Sequence, residues 1–239
     1  MVARMRRFVL VLGTLGFAIS SALAVPLLQL DIAGGTYETS TETVIASQNP
    51  FTLQALFNTE NGTASGTYYI AAAIIPKTEN PPVTSFGSFS VNGVTYSAAN
   101  MSYGNPPASI TETSLDLQSH GIYDTHYVEI AFTFDTSKTA SLYNSQDNPG
   151  GLQLNPTGSL LFEDFDVDIT GLAAGYQVHF DLYNIGTDKR GNETVQDFAP
   201  FSKDAQSGPT LPVPDASSTM MLLGMGMLAV EGMRRRFLR

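Results

Sequence analysis

Apolar and polar residues alternate with period two along most of the middle of the chain. The alternation predicts strands at 27–32, 51–58, 67–75, 86–91, 94–97, 127–135, 160–169 and 176–184. These runs are short, rich in β-branched and aromatic residues, and bounded by Gly, Pro, Asn or Asp. The clearest is Gln177-Val178-His179-Phe180-Asp181-Leu182-Tyr183, which sends Val178, Phe180 and Leu182 to a dry face and Gln177, His179, Asp181 and Tyr183 to a wet one. Asn92-Gly93, between Val91 and Val94, predicts a type I′ hairpin because both central residues of that turn need positive φ. No amphipathic helix stands out, and 136–143 is the one exposed segment with the propensity to form one. Pro- and Gly-bearing stretches at 77–85, 100–113 and 137–158 read as loops, where sites sit more often than in cores, and 198–210 reads as thinning toward a linker. The fold expected is all-β, an antiparallel β-sandwich with the jelly roll as the variant in view.

Two segments break the strand pattern. Arg4, Arg6 and Arg7 precede an apolar run at 8–19, and Ala22-Leu23-Ala24 fits the small-x-small site that signal peptidase cuts. Residues 1–24 therefore read as a signal peptide cleaved after Ala24, with an uncleaved anchor as the alternative. At the other end Val213-Pro214-Asp215 is followed by small polar residues at 216–219, an apolar run at 220–230, and then Arg234, Arg235, Arg236 and Arg239. That run is shorter than the roughly 20 residues of a comfortable membrane span, and the arginines would hold its far end on the cytoplasmic side. Glu231 closes the run three residues before Arg234, within reach of an i,i+3 pair. Two hydrophobic targeting helices are thus expected to flank an exported domain at 25–205, with 206–212 as linker and 213–239 as sorting signal.

The order of motif, apolar run and basic tail resembles the PEP-CTERM type of sorting signal, and more closely its VPDSG variant. Val213, Pro214 and Asp215 match it, while Ala216 and Ser217 stand where that variant has Ser and Gly. The resemblance implies signal peptidase and an exosortase as processing partners, with the membrane engaged through the C-terminal helix before cleavage. A simple tail anchor that is never cut is the plainer alternative. In the interior, Leu30-Asp31-Ile32-Ala33-Gly34-Gly35-Thr36-Tyr37, Ser119-His120-Gly121-Ile122-Tyr123, Asp166-Val167-Asp168 before His179-Phe180-Asp181, and Ala199-Pro200-Phe201-Ser202 resemble the choice-of-anchor N family. That resemblance implies an exported domain with no assigned reaction, so no functional residues come with it.

Charge sharpens the picture once the ends are set apart. Between Val25 and Pro214 five basic residues face twenty acidic ones, a formal −15. Nucleic acid and anionic lipid both need clustered Lys and Arg, so neither is an expected partner, whereas cations are. The absence of cysteine rules out thiolate metal sites, a cysteine nucleophile and a disulfide-stapled scaffold.

Candidate chemistry is sparse. Asp164, Asp166 and Asp168 share one face of a strand about 7 Å apart, a solvated acidic row in the first reading and a calcium site in the second, with Asp147 and Asn148 as further oxygens. His120, His126 and His179, with Asp124 or Asp181, have no spacing of a zinc motif and read as ordinary surface histidines. No Gly-x-Ser-x-Gly elbow is present. Tyr68, Tyr69, Tyr96, Tyr103, Tyr123, Tyr127, Tyr143 and Tyr183 could stack on sugars, but most are expected in the core or in cross-strand pairs. The expectation is a non-enzymatic structural or adhesive protein of the cell envelope or extracellular matrix, without a required cofactor and in contact with extracellular polysaccharide. A carbohydrate-binding module is the alternative and an extracellular hydrolase the third reading.

Overall fold

The computed structural model describes residues 25–110 and 121–209. Among them run fourteen strands: β1 (Leu28–Ile32), β2 (Thr36–Glu38), β3 (Thr43–Ile45), β4 (Phe51–Asn58), β5 (Tyr68–Ile75), β6 (Ser88–Val91), β7 (Val94–Ser97), β8 (Ser102–Gly104), β9 (Thr125–Phe132), β10 (Thr139–Ala140), β11 (Leu160–Asp168), β12 (Gln177–Thr187), β13 (Glu193–Phe198) and β14 (Asp204–Gln206). One 3₁₀ turn, Phe201–Lys203, precedes β14. All eight strands expected from alternation are present, within a few residues of the expected bounds.

The strands form two sheets, one ordered β1-β4-β11-β6-β7 with β10 on β11, the other β2-β3-β14-β12-β5-β9-β8 with β13 on β12. Pairing is antiparallel except between β14 and β3, which run parallel. Alternation explains the layer between them. Leu28, Leu30 and Ile32 of β1 and Leu53, Ala55 and Phe57 of β4 share one core with Ile70, Ala72 and Ile74 of β5 and Val178, Phe180 and Leu182 of β12. At about 25 cal/mol per Å² of apolar surface removed from water, this layer is the main stabilising term.

Each sheet also has a partly covered outer face. Over the first, Leu142, Tyr143 and Leu152 pack on Leu56, Leu160 and Phe162. Over the second, Tyr123, Tyr127 and Tyr183 pack around Ala71 and Ala73. The β6–β7 hairpin is the expected one: Asn92 has φ 48° and Gly93 φ 76°. Asn92 is further tied to β11, its N–H donating to the Asp166 carbonyl and its Oδ1 accepting from the Asp166 N–H, both at 2.8 Å.

Two expectations are corrected. Residues 136–143 are not helical, because Asp135 captures the Ser137 N–H at 2.8 Å and its hydroxyl at 2.7 Å in a turn, after which Thr139 and Ala140 pair with Leu161 and Leu160. Nor does the chain thin out after Phe198: β14 inserts between β3 and β12, and Ser207 exchanges hydrogen bonds with Val178. The segments expected to form two flanking targeting helices lie outside the described residues. Among the described residues no helix is long and apolar enough to cross a membrane.

Candidate functional site

The polar face of β12 is not wet. His179, Asp181 and Tyr183 keep only 3 %, 4 % and 0 % of their surface exposed. Period two correctly assigned them to one face, but the cover comes from elsewhere in the chain. On one side β5 supplies only Ala73 opposite His179 and Ala71 opposite Asp181. These small residues leave space above the sheet into which the tyrosines pack. On the other side β14 pairs His179 with Gln206 and Phe180 with Ala205, so the same register sets Asp204 across from Asp181.

The result is a buried centre of one imidazole and two carboxylates. His179 Nε2 stands 3.5 Å from Asp204 Oδ2 and 3.7 Å from Asp181 Oδ1. One potential metal-ligating atom from each of the three residues lies within 4.8 Å of the other two. The second Asp181 oxygen accepts the Tyr123 hydroxyl at 2.6 Å. Lys77 donates to the Tyr123 carbonyl, holding the segment that brings this ring in. A few ångströms along the same face the Tyr183 hydroxyl donates to Glu129, whose other oxygen accepts from the Ala108 N–H at 3.0 Å.

Electrostatics follow from this packing. Burial alone would depress the His179 pKa, but hydrogen bonding and charge from Asp181 and Asp204 outweigh it and push the pKa up to about 10. The Tyr123 phenol is driven well above its ordinary value by burial and then by the Asp181 charge, so it stays a donor. Chemically, the arrangement can hold one positive charge between two carboxylates, either as a proton on His179 or as a metal ion.

A third buried carboxylate lies on the outer face of the other sheet. Asp31 accepts the Tyr143 hydroxyl at 2.6 Å, the Gly150 N–H at 2.8 and 2.9 Å on its two oxygens, and its neighbour Ile32 N–H at 2.8 Å. Gly150 has φ +68°, and a Cβ there would come within 2.7 Å of the Gly34 nitrogen, so glycine is required. Gln29, one step away on the same face, accepts from the Ser145 N–H at 3.0 Å and donates to the Tyr143 carbonyl at 3.2 Å. Lys203 closes the loop from below through Gln146 Oε1 at 2.6 Å. Burial raises the Asp31 pKa, opposed by these donors. This cluster fastens residues 143–150 to β1.

The residues named from sequence are placed as follows. Asp164, Asp166 and Asp168 do project from one face of β11, with Asp164 and Asp166 exposed. Asp164 accepts from Gln54 Nε2 at 2.9 Å, whereas Asp168 accepts from Thr170 and from Asn49 Nδ2, so the row's two ends are engaged separately. His126 is buried, not a surface residue; its Nδ1 meets the Thr78 hydroxyl at 2.7 Å and its ring lies against Phe86 and Tyr103. His179 is buried as well, and Asp181 joins it as one of the two carboxylates considered, while His120 lies outside the described residues. Asp204 was not foreseen, because it sits in a three-residue strand within a Pro- and Gly-bounded stretch. Of the eight tyrosines, Tyr103 is the exposed one. Ala22, Ala24, Val213, Pro214, Asp215 and the arginines at 234–236 and 239 lie outside the described residues.

Residues 212–237 match the VPDSG-CTERM motif. The match covers Val213, Pro214, Asp215, the apolar run and Arg234, Arg235 and Arg236, and it supports an exosortase-sorting signal and hence a secreted or cell-surface destination. No curated protein matches the chain, and no solved structure does.

Proposed function

We propose that this chain is an exosortase-sorted structural or adhesive element of the cell envelope or extracellular matrix, and that it performs no catalysis. The observation that carries this reading is the sorting motif at 212–237, behind an all-β body of two sheets. A membrane hold of that kind serves to hand a folded body outward, and the body's formal charge of about −15 suits calcium-bridged association with polysaccharide or with other copies. The row of Asp164, Asp166 and Asp168, its first two members exposed, is the surface we assign to calcium. The interior resemblance to the choice-of-anchor N family agrees with an exported domain. The aromatic-platform reading draws little support from the tyrosines, since most are packed inside and Tyr103 alone of them is exposed. Intact mass of the protein recovered from its host tests the sorting: termini at Val25 and near Asp215 are expected, and a chain still ending at Arg239 contradicts cleavage. A rise in melting temperature in millimolar calcium is expected from binding to the folded state, and an unchanged melt removes the bridging role.

A further inference from the structure

We infer that His179, Asp181 and Asp204 form a binding site for a single divalent transition-metal ion of the zinc class. The inference stands apart from the sorting and calcium readings, since it concerns a different face and a different ion.

Geometry carries it. Nε2 of His179 lies 3.5 Å from an Asp204 oxygen and 3.7 Å from an Asp181 oxygen. Ligand atoms about 2.0–2.2 Å from a tetrahedral ion are separated by about 3.3–3.6 Å, which is close to both distances. Asp181 and Asp204 lie on the same face of the paired strands β12 and β14, where like charges repel, and both are buried. A cation between them is what lets both stay ionised. Lys203, the basic residue adjacent to Asp204, directs its ammonium to Gln146 instead.

The surroundings fit a ligand set. Tyr123 donates to the Asp181 oxygen that faces away from His179, orienting the carboxylate so that Oδ1 points at the imidazole. Such outer hydrogen bonds are how proteins aim carboxylate and imidazole ligands. One imidazole with two carboxylates suits zinc, manganese or ferrous iron, whereas calcium takes six to eight oxygens and has poor use for the nitrogen. All three ligands come from paired strands, so the site is held by the ladder itself.

The test uses the full chain in mild detergent, stripped with chelator and dialysed against micromolar Zn²⁺, Mn²⁺ or Ca²⁺, with bound metal counted by elemental mass spectrometry. One Zn²⁺ or Mn²⁺ per chain is expected, lost in His179→Ala and in Asp204→Asn and kept in Asp164→Asn. Should the first two variants fail to fold, Co²⁺ bound to the wild-type chain gives the visible absorption bands of a low-coordinate site, and the His179 imidazole ¹⁵N shifts move to those of a neutral ligated ring. No stoichiometric Zn²⁺ or Mn²⁺, full binding in both variants, or a His179 ring that stays doubly protonated with Zn²⁺ present overturns the site. The last result would leave a proton as the charge between the carboxylates.

Discussion

Asp31 and the Asp181–Asp204 pair are both carboxylates buried on the outer faces of sheets, but they are stabilised by opposite means. Asp31 is single, and neutral donors serve it: a phenol and two backbone N–H groups, one of them from a glycine that no other residue could replace. Its hydrogen bonds fasten a loop. Asp181 and Asp204 are two charges on adjacent strands with an imidazole between them, so neutral donors alone do not balance the centre. The difference teaches that burial of an acid is not by itself a sign of function. What separates a fastening from a site is whether the charge is balanced by dipoles or calls for a cation.

The largest effect should come from removing the imidazole that holds the cation in place. His179→Ala leaves two facing carboxylates buried without it and is expected to destabilise the body by about 3–5 kcal/mol in urea unfolding. Adding Asp204→Asn to that variant should recover part of the loss, because only one charge remains; an equal or greater loss in the double variant would break the electrostatic reading. Asp31→Ala ranks next. It strands the Tyr143 hydroxyl and the Gly150 N–H and should cost about 2–3 kcal/mol without any change in metal content.

Tyr123→Phe sharpens the contrast, since it removes a donor to a ligand and not the ligand itself. Metal affinity should fall about 10- to 100-fold while unfolding changes far less, whereas Tyr143→Phe, the matching change at Asp31, should leave metal binding untouched. The pH response separates the clusters again. The Asp31 pKa in the fold lies above its ordinary 3.8, so its contribution to stability is fully present below that value and is lost as pH rises through the folded pKa. The stability gap between wild type and Asp31→Asn should therefore narrow as pH rises out of the carboxylate range. The smallest effect lies far from both clusters: Gly93→Ala, at φ +76°, should cost about 1 kcal/mol in the β6–β7 hairpin and leave both clusters intact.

Much of the fold was legible because long strands rich in β-branched and aromatic residues announce themselves, whether they alternate, as β11 and β12 do, or run apolar throughout, as β5 does. β4, β5, β11 and β12 each carry apolar residues at every second position, and Asn92-Gly93 specifies its turn locally. β2, β3, β8, β10, β13 and β14 were not legible: five of them have two or three residues, too few to show a period, and β13 has its apolar Val195 and Phe198 three apart, off the period of two. The same limit hid the metal-ligating group. His179 and Asp181 could be assigned to one face, but what covers that face arrives from residues 121–127 and from Asp204, distant in sequence and without local pattern. Asp31 was hidden likewise, because Gly150 reaches it only through the fold of a long loop. The sorting tail, by contrast, was legible from Val213 to Arg236 because its order of motif, apolar run and arginines is a linear signal.

If the body encloses one cation between Asp181 and Asp204, native mass spectrometry of the protein isolated from its host will show it. The expected mass is that of the chain plus one zinc-class ion, with the ion lost in His179→Ala. A metal-free mass for protein kept in chelator-free buffer throughout would contradict it.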